Sequence, residues 1–332
     1  NTDCTGQLSG TYTVGGAPGA TNFPNLSTAI NTLSNCGISG SVTMNILVSD
    51  TNSYRIPAIP GSSAANVVKF VGVGSPSLVT FAENLFDIDG ASYIEFEDLV
   101  MYCNTSASNM AIWMHNNAHH IVINNCEFNG SLNASSLYNN AVIGLSFLGS
   151  NAKSSGDNGH DITVTNNLIK GGYLGVSFYG STVQPTSHIT ISNNVFENQE
   201  NTSIEINRAD TVIIANNTAE SYQAVYSKKF VNVNYGNNMQ VLANEVDIDD
   251  YPFFYSYRMN YLNSGTSLIA NNMSNGRIEV SGSENVNVFH NTINAFEGTS
   301  FNSSAMIIGY QSKNCDIRNN IFIGGTRFAL QD

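Results

Sequence analysis

A short phrase recurs along the chain: two spaced apolar residues followed by a pair of asparagines. It reads ITISNN ending at Asn194, VIIANN ending at Asn217, SLIANN ending at Asn272 and CDIRNN ending at Asn320. Looser copies are ITVTNN at Asn167, MQVLAN at Asn244, VNVFHN at Asn291 and HIVINNC at Cys126. The final slots fall 41, 27, 23, 27, 28, 19 and 29 residues apart. A recurrence of this kind signals stacked supersecondary units, each burying its apolar face against the next. A chain of 332 residues would otherwise suggest two ordinary domains, but a stack grows in one dimension and escapes that arithmetic.

The phrase can be read residue by residue. Ile189 and Ile191 alternate with threonine and serine, so they point to one side of a strand, the interior. Two residues past each second slot comes Phe128, Ile169, Phe196, Ala219, Val246, Ser274, Ile293 or Phe322, mostly apolar and therefore also inward. The strand ahead of each phrase supplies Phe86 and Ile88, Ile112 and Met114, Ile204 and Ile206, Ile278 and Val280. Three short strands per turn follow, around a column of stacked aliphatic and aromatic side chains. The paired asparagines suit the corner. Asparagine tolerates the left-handed backbone of a sharp bend, and its amide can bond to amides of neighbouring coils about 4.8 Å away. They read as scaffold, with no catalytic part.

Charged residues make up only 11% of the chain and the net charge is −13. Few charges with abundant Asn, Ser, Thr and Gly favour strands joined by tight turns. The acidity argues against a nucleic-acid partner, which clustered Lys and Arg would serve. It fits solubility or divalent cations better. No apolar run approaches the roughly 20 residues of a membrane span. No charged-then-apolar leader is present, which suggests that the numbering begins at a mature N-terminus. Of five cysteines, Cys4 and Cys36 bracket the N-terminal segment and could close a disulfide. Cys103 and Cys126 lie one repeat apart and could do the same, leaving Cys315; buried free thiols are the alternative. Oxidation would imply an exported protein.

Residues 1–65 read as an N-terminal cap and 66–332 as the coils. In FPNLSTAINTLSNCG, Phe23, Leu26, Ile30 and Leu33 fall at helical spacing, with Pro24 near the start and Gly37 past the end. A single amphipathic helix there would cover the open cross-section of the first coil. Strand-like alternation then starts at Val42, Met44, Ile46 and Val48. The segments LSGTYTVGG, FPNLSTAINTL, GISGSVTMNILVSDT and IPGSSAANVVKFVG together resemble the opening of secreted and cell-surface β-helix proteins of the Bacteroidetes, over roughly the first 75 residues. The remainder resembles the wider pectate-lyase-like group in pattern more than in motif. The resemblance implies an all-β, right-handed, single-stranded parallel β-helix with an N-terminal capping helix. It also implies type IX export and an adhesive role. Phe328 and Leu330 look like the start of a further strand, so the stack is expected to continue beyond Asp332.

Outward residues at equivalent positions of a β-helix form columns. One lies three residues past the second slot: Lys170, Glu197, Glu220, Asp247, Asn275 and Asn294. Carboxylates about 5 Å apart repel unless a cation intervenes, so Glu197, Glu220 and Asp247 are a possible Ca2+ site; a solvated acidic edge is the plainer reading. A second column holds Asp87, Trp113, Glu205 and Glu279. Trp113, the single tryptophan, can stack on a sugar or pack under a loop. Glu205 and Glu279 stand three coils apart, roughly 14 Å, too far for the acid–base pair of a glycosidase.

Two insertions, YQAVYSKKFVNVNYGN and DIDDYPFFYSYRMNYLNSG, lengthen adjacent coils. They could form a raised patch that binds a glycan or protein partner through Tyr251, Tyr255, Tyr257 and Arg258, or else fill the interior with alternate members. His119 and His120 are adjacent, and alternation sends them to opposite faces, so no metal pair is expected; His115, His160, His188 and His290 look isolated.

Two functions are consistent with these residues. One is a non-catalytic extracellular or cell-surface module for adhesion or for glycan or partner binding. The other is a calcium-dependent polysaccharide lyase or glycoside hydrolase built on the acidic column, with Lys170 or Arg208 as base.

Overall fold

The computed structural model describes residues 4, 6–80, 83–103, 110–131, 140–221, 228–248, 255–262, 264–295, 304–309 and 311–323. Each turn of the chain makes three strands. Phe86–Asp89, Ser92–Glu97 and Val100–Cys103 form one turn; Ile112–His115, His119–Asn124 and Glu127–Gly130 form the next. We call these the first, second and third faces. The first two merge into a 21-stranded sheet, and the third is a separate 10-stranded sheet. Successive turns pair in parallel, in register, as Phe86 with Ile112 and Phe128 with Ile169. The chain is a parallel β-helix.

Alternation does the sorting. Phe86, Ile88, Ile112, Met114, Ile204, Ile206, Ile278 and Val280 are all fully buried, as are Phe128, Ile169 and Phe196 on the third face. Aromatic rings touch along this core: Phe196 and Phe230 meet edge-on at 6.0 Å, and Phe230 meets Tyr257 the same way.

The two asparagines of each phrase divide the work. The first, as Asn193, Asn216 and Asn271, sits at φ near +55° and makes the corner. The second is buried and forms a ladder. Nδ2 of Asn194 donates to Oδ1 of Asn217 at 3.0 Å, and Nδ2 of Asn217 donates to Oδ1 of Asn244 at 3.0 Å. The same oxygens accept backbone N–H groups, as Asn194 N to Asn217 Oδ1 at 3.0 Å. The other amide hydrogen reaches back into the coil before, as Asn217 Nδ2 to the Ile191 carbonyl at 2.9 Å. The ladder runs through Asn167, Asn194, Asn217, Asn244, Asn272, Asn291 and Asn320.

At the N-terminal end the helix spans Leu26–Cys36, buries Leu26, Ala29, Ile30 and Leu33, and packs against Tyr54–Pro57, the first strand of its face. Asn25 caps it, accepting from the Thr28 N–H at 2.9 Å, and Gly37 stops it at φ 69°. Phe23 lies outside the helix, its ring tilted against Tyr12 at 5.5 Å. The strand after it is Ile38–Ile46, so Val48 falls beyond its end and is exposed.

Cys4 and Cys36 form a disulfide that ties the first residues to the helix end. Cys103 and Cys126 are free and buried, contrary to the second predicted bridge. The reason is register. Glu127 pairs with Val100 and Gly130 with Cys103, so the two cysteines lie four positions apart along neighbouring strands. That is about 13 Å, twice what a disulfide spans.

The wide gaps between phrases are ordinary turns. AVIGL is the first-face strand Ala141–Leu145, and the predicted insertions contain the strands Lys229–Leu242 and Tyr255–Asn260. The phrase marks only the corner between the second and third faces, so a first-face strand beside a long connection looks like inserted chain. Phe328 and Leu330 lie outside the described residues. Among the described residues, no helix is long and apolar enough to cross a membrane.

Candidate functional site

On the first face an outward column runs in register through Arg55, Asp87, Trp113, Gly144, Ser177, Glu205, Asn232, Arg258 and Glu279. The four residues predicted for it are all in it. Near its N-terminal end opens a pocket of about 460 Å³, lined by Ser53, Tyr54, Arg55, Glu83, Asn84, Asp87, Trp113, Gly149 and Ser150.

Trp113 is half-buried. His115, two residues on and also outward, stacks on the indole at 3.8 Å and 5° from parallel. Indole Nε1 donates to the Ser146 carbonyl at 3.0 Å, and Gly149 comes so close that a Cβ there would stand 2.8 Å from Cε3 and Cζ3. The ring is thus a fixed wall of the pocket, backed by one imidazole and held by a loop.

The polar groups around it are equally fixed. His115 Nε2 lies 2.6 Å from Asp87 Oδ1, and Arg55 pairs with Asp89. Burial by itself would raise the Asp89 pKa. Donation from Asn116 and Arg55, with the His115 charge, outweighs it and holds Asp89 below the usual carboxylate range.

Farther along the column, Glu205 is only 4% exposed. The Tyr179 hydroxyl donates to it at 3.1 Å and the Asn232 amide approaches both its oxygens at 2.9 Å. Three coils separate it from Glu279, as the spacing predicts. Arg258 Nε sits 3.3 Å from the Glu279 carboxylate.

Of the tyrosines proposed for a raised patch, Tyr255 points out, its ring facing the guanidinium of Arg277 at 4.4 Å and of Arg258 at 5.4 Å. Tyr257 does not. It is fully buried against Phe230, so it cannot touch a ligand. A register shift between Tyr255 and Tyr257 breaks the alternation that would have kept them on one side. Tyr251 lies outside the described residues.

The acidic column is also in register: Lys170 pairs with Glu197, Glu197 with Glu220, and Glu220 with Asp247. The outer carboxylates are two strand spacings apart, about 10 Å, so one ion could be shared by neighbours and not by all three. Asn275 donates to Asp247 at 2.8 Å. Of the two basic residues proposed for catalysis, Lys170 stands in this column and Arg208 does not. Lys170 Nζ lies 3.3 Å from Glu127 Oε1. Arg208 belongs to the larger sheet, donating to Ser155 and Asn207 at 2.8 Å, whereas the column lies on the smaller one.

Sequence reasoning missed a cluster at the corner between the first and second faces. His119 and His120 leave on the same side because His120 has φ 53°, a reversal that cancels alternation. Their Nδ1 atoms stand 2.7 Å apart, and His160 stacks on His119 at 4.7 Å. Burial first, then the neighbouring His160 and His120, hold His119 below the usual imidazole pKa.

A scan against protein-family models and a search of curated proteins give no match. Among solved structures the chain is similar to the surface adhesin PfbA of Streptococcus pneumoniae. One structure of it shares 13% identity at a TM-score of 0.57, covering 90% of this chain and 88% of the other; a second shares 11% at 0.59, covering 89% and 88%. At this identity the likeness is one of fold.

Proposed function

We propose that the chain is an extracellular or cell-surface binding module, an adhesin-like shaft whose Trp113 pocket holds a segment of glycan or of a protein partner. One observation carries this reading. An indole, immobilised on His115, forms the wall of an open pocket in which Arg55, Glu83, Asp87 and Asn84 supply polar partners. A rigid aromatic surface loses little entropy on contact, and the surrounding charges give orientation. The likeness in fold to the surface adhesin PfbA supports the reading. So does the Bacteroidetes-like N-terminal segment, for which type IX export would deliver the protein to the surface.

Trp113→Ala is expected to weaken binding to an immobilised glycan panel or extracellular matrix preparation by about 30-fold or more, the loss of an interface anchor worth ~2 kcal/mol. Equal binding by wild type and variant would sink the pocket assignment.

The second reading, a calcium-dependent lyase or hydrolase, draws on the in-register stack of Glu197, Glu220 and Asp247. Calcium at 100 times its Kd would then raise stability by about 2.7 kcal/mol, and a chelator would reverse the rise. A melting curve indifferent to both removes the cation. Unsaturated product or new reducing ends from a polysaccharide panel would replace the binding reading with the enzymatic one.

A further inference from the structure

The corner between the first and second faces is built from residues in the left-handed conformation on successive coils: Tyr93, His120, Asp161, His188 and Thr211, at φ 58°, 53°, 53°, 53° and 55°. The residue that follows each is inward and buried, as Ile121, Ile162 and Ile189 are. None of these positions is glycine or asparagine, the residues that adopt this backbone with least cost. The reversal turns two consecutive side chains outward per coil, so His119 and His120 stand beside His160 and Asp161 of the next coil.

We propose that His119, His120 and His160, with Asp161, form a site for a divalent transition-metal ion of borderline softness, such as Zn2+. Among the described residues, these three histidines each offer a nitrogen within 4.8 Å of the other two. A tetrahedral ion with bonds of 2.0–2.1 Å needs donors about 3.3 Å apart, so the widest separations in the set must tighten by up to about 1.5 Å on binding. Asp161 stands beside the three histidines, within reach of two of them as a fourth donor. Asp161 Oδ2 lies 2.6 Å from His160 Nδ1 and 3.7 Å from His120 Nε2, and its other oxygen is 3.6 Å from His188 Nδ1.

The register fixes two ligands without help from the metal: His119 pairs with His160, and their rings stack 6° from parallel. The Nδ1-to-Nδ1 contact of His119 and His120 at 2.7 Å requires one shared proton, which the ion would displace. Access is open. His120 and Asp161 also line a cavity of about 560 Å³ with Tyr93, Glu95 and His188, which leaves room for water or a ligand oxygen beside the ion.

The test uses the full chain stripped with chelator and titrated with Zn2+ alone by calorimetry, then with Co2+ by visible absorption. The expected result is one ion per chain and the intense d–d bands of tetrahedral Co2+. His119→Gln and His160→Gln are expected to lose affinity by more than the roughly 10- to 100-fold that removing an outer-shell partner costs, and His290→Gln to lose none. His120→Asn, which tolerates the left-handed backbone, separates loss of the ligand from loss of the corner; circular dichroism checks that each variant folds. No binding at about 100 μM Zn2+, or binding unchanged by His119→Gln, His160→Gln and His120→Asn, would overturn the proposal.

Discussion

Asn217→Leu is expected to destabilise the shaft by about 3–6 kcal/mol, far more than an average substitution. Leucine fills the space but restores none of the bonds. The Asn194 backbone N–H and one of its amide hydrogens lose their acceptor, and the Ile191 carbonyl loses its donor. All of these groups are buried, and each unmet one costs about 1–3 kcal/mol. Asn216→Ala, one residue earlier, exchanges an exposed corner residue at φ 54° and should cost only about 1–2 kcal/mol. Chemical denaturation followed by circular dichroism distinguishes the two. Equal losses would mean that the ladder is incidental to the corner.

Tyr257→Ala is expected to cost about 3–5 kcal/mol, as truncation of a buried aromatic does, because it opens a hole beside Phe230. Tyr255→Ala removes a half-exposed ring and its contact with Arg277, worth about 0.5–1 kcal/mol. The pair, two residues apart in one strand, separates core from surface in a single denaturation series. A small loss at Tyr257 would place it outside the core.

These two variants also mark where the sequence is readable. The phrase prescribes the coil, the inward positions and the alignment of outward columns, because a period of two and a repeated corner leave little freedom. Trp113, Glu205 and Glu279 fall in the predicted column for that reason. Prediction fails wherever the backbone departs from alternation. At Ser256 a register shift buries Tyr257, and at His120 a reversed φ brings two histidines together. Neither place carries the glycine or asparagine that ordinarily announces a turn. The setting of Trp113 was equally hidden, since the loop through Gly149 reaches it from the next coil. A parity rule carries no information about what crosses from one turn to another.

The asparagine ladder has a polarity. From Asn167 to Asn291 each rung presents its carbonyl oxygen to the coil before and a side-chain N–H to the coil after, and Asn320 accepts the last of these bonds. The amide dipoles therefore add along the shaft, much as peptide dipoles add along a helix, and each bond polarises the next. The oxygen end is closed by the Cys126 backbone N–H, which donates to Asn167 at 2.9 Å. A ladder assembled from near-identical rungs thus has two electrically different ends.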